Sequence, residues 1–234
     1  MQYKTQFIEI KNLPPADSFL SVSESAYLQT LKAEKRKGDW LGGRFALKLL
    51  LARESGLLPM CACESWTEMS APALAVLKNI DIVKLPSGAP QVFIGAVPDA
   101  RSVSISHSNG WAVAAISEPH TFLGIDLEKI EPRMQAWAED FFTPQEREPM
   151  TPTHLTTLWT QKEAVVKLLG RGLSLNAQEI SLEGGKVHLS GRAYAAWQHL
   201  AQPSIALTSV PFQADFIFTV AYAPAPSAGK FGKI

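Results

Sequence analysis

Alternating residues mark a β-strand in the segment Phe122-Leu-Gly-Ile-Asp-Leu-Glu-Lys-Ile130. The period of two separates its apolar side chains from a face that carries Gly124, Asp126 and Glu128. Two carboxylates on one face repel each other unless a positive group lies between them, and Mg²⁺ prefers oxygen ligands of this kind. Gly124 leaves the approach to that face open. The segment therefore indicates either a magnesium site or an exposed strand face with two ordinary acids.

A helix is predicted for the segment Leu155-Thr-Thr-Leu-Trp-Thr-Gln-Lys-Glu-Ala-Val-Val-Lys-Leu-Leu169, which ends at Gly170. Glu163 and Lys167 lie one turn apart on its flank, which is also the spacing of an ordinary ion pair. Lys162 lies within the apolar arc, where a cation is costly unless it meets an anion. Either this arc faces a ligand as well as the core, or Lys162 extends to water.

Charge is distributed unevenly along the chain. From Lys32 to Arg53 there are seven basic residues and two acids, a net charge of +5, whereas Asp126 to Glu148 has seven acids and three bases, a net charge of −4. A predicted helix in the basic segment places Trp40, Arg44 and Lys48 in one stripe. Unpaired cations one turn apart suit phosphate groups, although a solvated helix face has the same pattern.

Length and composition describe a globular protein. The chain has 234 residues, no net charge and 46% apolar residues, which allows one large domain or two small ones. A neutral chain is not held to nucleic acid by bulk charge, and no apolar segment approaches the length of a membrane helix. Cys61 and Cys63 are too close for an easy disulfide and too few for a structural zinc, and we expect a cytoplasmic protein without a signal peptide.

Strands and helices alternate along the chain. A strand is predicted at 5–10, and three tightly joined strands between 101 and 130 predict a meander whose first turn contains Asn109-Gly110. Helices are predicted at 25–37 and 41–55. A break at 118–121 divides the chain into halves of similar size and element order. The expected domains are residues 1–119 and 120–224, followed by a flexible tail at 225–234.

Together these segments resemble the 4′-phosphopantetheinyl transferases of the surfactin-synthetase type. The resemblance rests on Gly124-Ile-Asp-Leu-Glu128 and Trp159-Thr-Gln-Lys-Glu-Ala-Val-Val-Lys167, with support from Ser104-Ile-Ser-His-Ser108, Gly170-Arg-Gly-Leu-Ser174 and the helix of Arg44. It implies an α/β (α+β) fold of two similar subdomains related by a pseudo-two-fold axis, in a monomer that binds coenzyme A in the cleft between them. The first domain would serve the nucleotide side of coenzyme A, and the second the metal and phosphate side.

The same resemblance implies an activity. Enzymes of this family transfer the 4′-phosphopantetheine arm of coenzyme A to a serine of an acyl or peptidyl carrier protein, and they release 3′,5′-ADP. The carrier would dock near 141–154. The residues carried over by motif are Asp126, Glu128 and Glu163 for Mg²⁺, Lys162 and Lys167 for the pyrophosphate, Arg36, Arg44, Lys48 and His107 for the 3′-phosphate, and Ser106 for the nucleotide.

Glu163 is the expected general base for the carrier serine, with Glu128 or a metal-bound water as its rival, and Lys167 is expected to neutralise charge on the leaving group. One position departs from the family pattern. Gly88-Ala89-Pro90 stands where the family usually has Gly-Lys-Pro, so one cationic contact to coenzyme A is missing. Two other functions use parts of the same residue set, namely a non-catalytic coenzyme A-binding module and a metal-dependent phosphoesterase.

Overall fold

The computed structural model of the protein describes residues 3–59, 67, 69–170 and 175–224. The expectations for Cys61 and Cys63, for 171–174 and for the tail at 225–234 concern residues outside this part. The fold is mixed α/β, as predicted, and the chain divides into two compact units. Unit 1 comprises Met1–Pro86 and Pro90–Glu118, and unit 2 comprises Ser87–Ala89 and Pro119–Ile234. None of the helices in the described residues is long and apolar enough to span a membrane.

Unit 1 is built around one long helix, α3 (Glu34–Glu54), packed on a three-stranded antiparallel sheet of order β1-β6-β5. Close packing depends on Gly42, because a Cβ there would lie 2.8 Å from Ile10 Cγ1 and 2.9 Å from Ala112 Cβ. Its other elements are α1 (Ala16–Phe19), α2 (Val22–Thr30), α4 (Ala71–Val76), β1 (Tyr3–Glu9), β2 (Ile80–Lys84), β3 (Pro90–Ile94), β4 (Val97–Pro98), β5 (Arg101–Ser108) and β6 (Trp111–Pro119).

Unit 2 repeats this plan with α6 (Pro152–Leu168) on a sheet of order β10-β11-β7. Helix α6 begins at the N-cap Thr151, whose side chain accepts a hydrogen bond from the His154 backbone N–H, with Pro152 in the first turn. The remaining elements are α5 (Gln135–Phe141), α7 (Gly191–His199), β7 (Thr121–Lys129), β8 (Ile180–Glu183), β9 (Lys186–Leu189), β10 (Ala206–Phe212) and β11 (Phe216–Pro224).

The same element order therefore occurs in both units. A first strand (β1 or β7) precedes the long helix (α3 or α6), small strands follow, and a final hairpin (β5–β6 or β10–β11) completes the sheet. In each unit the last strand lies in the middle and pairs antiparallel with the first strand. The strand that carries Asp126 is thus an outer strand of its three-stranded sheet, beside β11.

Two sequence-based expectations for secondary structure are wrong. The meander does not form, because β5 and β6 pair within unit 1 whereas β7 pairs with β11, whose residues follow their partners in β7 by 87 to 103 positions. The alternation predicts strands correctly but carries no information about their partners. The helix expected at 25–37 is divided into α2 and the start of α3, since Leu31 has an extended backbone. The turn at Asn109-Gly110 is confirmed, with positive φ at both residues.

Candidate active site in unit 2

The site in unit 2 begins with a row of polar residues across its sheet. Asp126 of β7 is the direct partner of Thr219 in β11, and Thr219 is in turn the partner of Ser209 in β10. Side chains of paired residues point to the same face of a sheet. This face is covered by α6, because the Thr160 and Thr219 hydroxyl oxygens lie 2.7 Å apart. Asp126 is therefore buried between the sheet and the helix.

Helix α6 contributes the two other functional groups predicted for this place. Lys167 Nζ donates a hydrogen bond of 2.8 Å to Asp126 Oδ1. Glu163 lies one turn earlier on the same flank of the helix. Burial raises the pKa of Glu163 to about 7, and the negative charges of Asp126 and Glu128 add to this rise while Lys167 opposes it. The helix and the strand thus bring three carboxylates and one cation into electrostatic contact.

The predicted metal ligands are Asp126, Glu128 and Glu163. Among the described residues, no three His, Cys, Asp or Glu side chains are gathered closely enough to hold one ion. Their chemistry nevertheless fits a hard divalent cation, because all three offer carboxylate oxygens and because, after burial, repulsion by Asp126 and Glu128 adds to the rise in the pKa of Glu163. A cation between them would relieve this repulsion, as Lys167 already does in part at Asp126.

The expectation that Gly124 opens this face to approach is wrong. A Cβ at Gly124 would lie 1.9 Å from the backbone oxygen of Ala164 and 2.5 Å from the backbone nitrogen of Leu168. Gly124 therefore allows α6 to pack directly on β7. This close approach places Glu163, next to Ala164 in the helix, near the carboxylates of the strand.

Lys162 has a structural environment that differs from the one implied by the family resemblance. It is fully buried, and its Nζ donates to Glu146 Oε2 at 2.8 Å, to the Phe141 carbonyl at 2.9 Å and to the Ala177 carbonyl at 3.2 Å. An ammonium group has three protons, so these bonds use all of them. Burial lowers the pKa of Lys162 while Glu146 opposes the effect. This geometry leaves Lys162 no donor for a pyrophosphate oxygen.

The cations predicted for the 3′-phosphate lie in unit 1, and they differ in environment. Lys48 is fully buried, donates to the carbonyls of Phe19 at 3.0 Å and Leu77 at 3.2 Å, and forms an ion pair with Glu24. It is a core cation, and the expectation that it binds phosphate conflicts with this geometry. Its position in the stripe of α3 is predicted correctly, but the stripe runs from the surface into the core.

Arg44 is different because part of its hydrogen-bonding capacity is unused. Its guanidinium stacks on Trp40, 4.3 Å from the ring centre, and donates to the Ile82 carbonyl at 3.4 Å. Its Nε is buried and has no hydrogen-bond partner among the described residues. Trp40 in turn stacks on Tyr27, with 5.4 Å between the ring centres. Arg44 is thus held in place by aromatic rings while it retains a donor.

The other predicted residues of unit 1 lie on β5 and at the start of α3. His107 is exposed, with Nδ1 3.7 Å from Asp39 Oδ2 of α3, whereas Ser106 next to it is buried. Arg36 is exposed in the first turns of α3. Ala89, at the departure from the family pattern, belongs to unit 2; it follows Gly88, which has a positive φ, and donates its backbone N–H to Ser87 Oγ at 3.4 Å.

Two groups of polar residues have no counterpart in the sequence-based prediction. Glu146, the anion that Lys162 requires, accepts bonds from the backbone N–H groups of Thr143 and Leu182. The sequence indicates that Lys162 needs an anion, but it does not show which of the seven acids in 126–148 supplies it. The second group comprises the hydroxyls of Thr160 and Thr219, which no spacing rule connects.

Comparison with known proteins agrees with this geometry. The family model described as the 4′-phosphopantetheinyl transferase superfamily matches residues 122–221, a segment that contains Asp126, Glu128, Glu163 and Lys167. Residues 122–221 are thus similar to this superfamily, the one that the sequence motifs indicate.

Individual relatives of the phosphopantetheinyl transferase segment are found in Bacillus subtilis. A 4′-phosphopantetheinyl transferase from this organism is 37% identical over 98 residues, which are 38% of this chain and 42% of the relative. The 4′-phosphopantetheinyl transferase Sfp of strain 168 is 33% identical over 104 residues, 41% of this chain and 43% of the relative. This chain therefore spans less than half the length of both relatives. A solved structure described as the Chronobacterium ammoniagenes ACPS-CoA complex covers 46% of this chain and 98% of its own, with 21% identity and a TM-score of 0.38.

Proposed function

We propose that this protein is a Mg²⁺-dependent 4′-phosphopantetheinyl transferase that modifies a serine of an acyl or peptidyl carrier protein. One observation supports the proposal most directly. The family match contains the three carboxylates and Lys167, and β7 and α6 bring these four side chains into electrostatic contact. Neither a passive coenzyme A-binding module nor a simple ion pair requires three buried or half-buried acids around one lysine.

The proposed reaction transfers a phosphoryl group. The serine hydroxyl oxygen of the carrier bonds to the phosphorus that bears the pantetheine, the bond from this phosphorus to the bridging oxygen breaks, and 3′,5′-ADP leaves with the electron pair. Bound at Asp126, Glu128 and Glu163, Mg²⁺ would neutralise charge on the diphosphate. The hydroxyl proton would pass to a carboxylate of this group, for which Glu163 is our candidate and Glu128 the rival.

Lys167 would stabilise the departing 3′,5′-ADP. Its ammonium group has three N–H donors and uses one of them for the bond to Asp126 Oδ1. The other two can donate to phosphate oxygens. In unit 1, Arg36, Arg44 and His107 remain the proposed ligands of the 3′-phosphate, with Ser106 as a nucleotide contact. Lys48 and Lys162 are left out of the proposed site because their donors are used within the protein.

Mass spectrometry of an apo carrier protein tests this proposal. With coenzyme A and Mg²⁺, the protein should add the mass of one phosphopantetheine arm to the carrier and release 3′,5′-ADP in equal amount. Removal of Mg²⁺ by a chelator should stop both. Binding of coenzyme A without transfer would favour the binding module, and release of 3′,5′-ADP without a carrier would favour the phosphoesterase.

Kinetic measurements on single variants test the role proposed for each residue. Asp126→Ala and Glu163→Ala should each lower kcat at least about 100-fold, the scale of losing one electrostatic group at a reacting centre. Lys167→Ala should lower kcat more than it raises KM for coenzyme A. Asp140→Asn is a matched control, because this acid is exposed on α5, and it should retain wild-type rates. Wild-type rates of Asp126→Ala at saturating Mg²⁺ would contradict the proposed site. Cytoplasmic location and a monomeric state stay predictions from the sequence.

A further inference from the structure

A directed chain of hydrogen bonds links α6 to the sheet of unit 2. Gln161 Nε2 donates to Ser209 Oγ at 3.0 Å, Ser209 and Thr219 share a bond of 2.9 Å, and Thr219 and Thr160 share one of 2.7 Å. Thr160 Oγ1 donates its proton to the Thr157 carbonyl at 2.9 Å. Because a hydroxyl has one proton, Thr219 must donate to Thr160, and Ser209 must donate to Thr219. The chain therefore has one direction and begins and ends on α6.

Packing alone does not require these hydroxyls. Thr160 and Thr219 are both fully buried, and valine has nearly the same shape. Burying a hydroxyl has a desolvation cost that its hydrogen bonds must offset, so an apolar pair would serve the core equally well. A hydrogen bond between hydroxyls does add specificity, because it forms only when the helix occupies one position on the sheet. Thr156, one turn earlier on α6, is buried too, but its Oγ1 has no hydrogen-bond partner within the described part of the chain.

This chain of hydrogen bonds lies beside the proposed metal ligands. Thr219 is the direct strand partner of Asp126, and Thr160 precedes Glu163 by three residues on α6. On the other side of Glu163, the backbone of Ala164 packs so closely on Gly124 that a side chain at position 124 would have no space. Glu163 is thus bracketed by two anchors on the same sheet, one steric and one formed by hydrogen bonds.

We infer that Thr160 and Thr219 are positioning residues, whose hydroxyls fix the register of α6 on the sheet and thereby hold Glu163 in place relative to Asp126. This inference rests on the proposed function and assigns the two threonines no contact with substrate. A displacement of a reacting group by about 1 Å can cost a factor of about 100 in rate. The loss of such supporting bonds also weakens metal sites, by about 10-fold or more.

The test compares the double variant Thr160→Val/Thr219→Val with three proteins: the wild type, Thr219→Ser and Thr156→Val. The double variant replaces both partners by apolar groups of the same shape, so its denaturant midpoint should remain at or above that of the wild type. Its kcat should fall about 10-fold, with little change in KM for coenzyme A, and its Kd for Mg²⁺, measured by calorimetry without substrate, should rise about 10-fold. Thr219→Ser retains the hydroxyl and should keep both values at those of the wild type. Thr156→Val removes an unbonded hydroxyl and should leave both unchanged.

The outcomes separate this inference from the proposed function. Wild-type kcat and Kd in the double variant would overturn the positioning role while transfer by the wild type stands. The positioning role would also be overturned if Thr219→Ser or Thr156→Val lowered kcat and raised the Kd for Mg²⁺ as much as the double variant does. If the wild type transfers no phosphopantetheine, the proposed function fails, and the Mg²⁺ titration still decides the inference. Absence of Mg²⁺ binding by the wild type would overturn the inference, whereas the proposed function is decided by transfer of phosphopantetheine.

Discussion

Replacing Lys162 by methionine distinguishes a core cation from a ligand of coenzyme A. Methionine fills a similar volume but makes none of the three hydrogen bonds to Glu146, Phe141 and Ala177. Removal of one partner of a buried ion pair costs about 3–5 kcal/mol, because the other charge stays buried without compensation. We expect the Lys162→Met variant to lose stability on this scale, with KM for coenzyme A within about twofold of wild type for the folded protein, since no substrate contact is removed.

The assay is urea denaturation followed by tryptophan fluorescence, combined with transfer kinetics in the absence of denaturant. Lys37→Met is the matched control. Lys37 pairs with Glu34 at 2.7 Å on the surface of α3, and such a pair contributes only about 0.2–0.5 kcal/mol. A second step removes the orphaned charge, so Lys162→Met/Glu146→Gln should recover part of the lost stability. The reasoning is refuted if Lys162→Met is as stable as the wild type while its KM for coenzyme A rises about 10-fold, the result expected of a phosphate ligand.

Three further predictions concern other parts of the chain. Gly124→Ala should destabilise the protein by about 3 kcal/mol or more, because its Cβ would overlap the backbone of α6. Gly38→Ala within α3, whose Cβ would lie 3.3 Å from Ile10 Cγ2, should change stability by no more than about 1 kcal/mol; urea midpoints compare the two. The hydrogen bond from Arg101 lowers the pKa of Asp99, so its stabilisation is present above about pH 4 and is lost as pH falls through the lowered pKa; Asp99→Asn should flatten this part of the stability profile, and an unchanged slope would contradict the assignment. Arg44→Ala should raise KM for coenzyme A about 10-fold in steady-state kinetics of the folded variant, and unchanged KM would remove Arg44 from the proposed site.

Much of the site could be predicted from local patterns. The period of two in β7 places Asp126 and Glu128 on one face, and the helical period of α6 places Glu163 and Lys167 on one flank. The structure joins Lys167 to Asp126 by a hydrogen bond and places Glu163 in electrostatic contact with Asp126, Glu128 and Lys167, although within the described residues the three carboxylates are not gathered closely enough to hold one ion. Their roles toward metal and coenzyme A stay proposals. The stripe of Arg44 and Lys48 was also predicted, but only Arg44 retains an unused donor.

The places where the structure departs from the expectations share one cause. From the sequence, Lys162 and Lys48 look like unpaired cations that could bind phosphate. The acids that neutralise them, Glu146 and Glu24, lie 16 and 24 residues away along the chain. Gly124 gave no indication that a helix backbone would lie against it. Each of these outcomes depends on which distant segment packs beside the residue, and local periodicity contains no such information.

The sequence alone determined the strand and helix that carry the acidic residues and Lys167, because backbone periodicity and side-chain chemistry are properties of neighbouring residues. Motifs within single segments also indicated the family that residues 122–221 resemble. The tertiary structure decided the pairing of β7 with β11, the burial of Lys162 on Glu146, and the hydroxyl chain from Gln161 to Thr160. These depend on contacts between residues far apart in the chain, where burial selects one partner among many that are chemically equivalent.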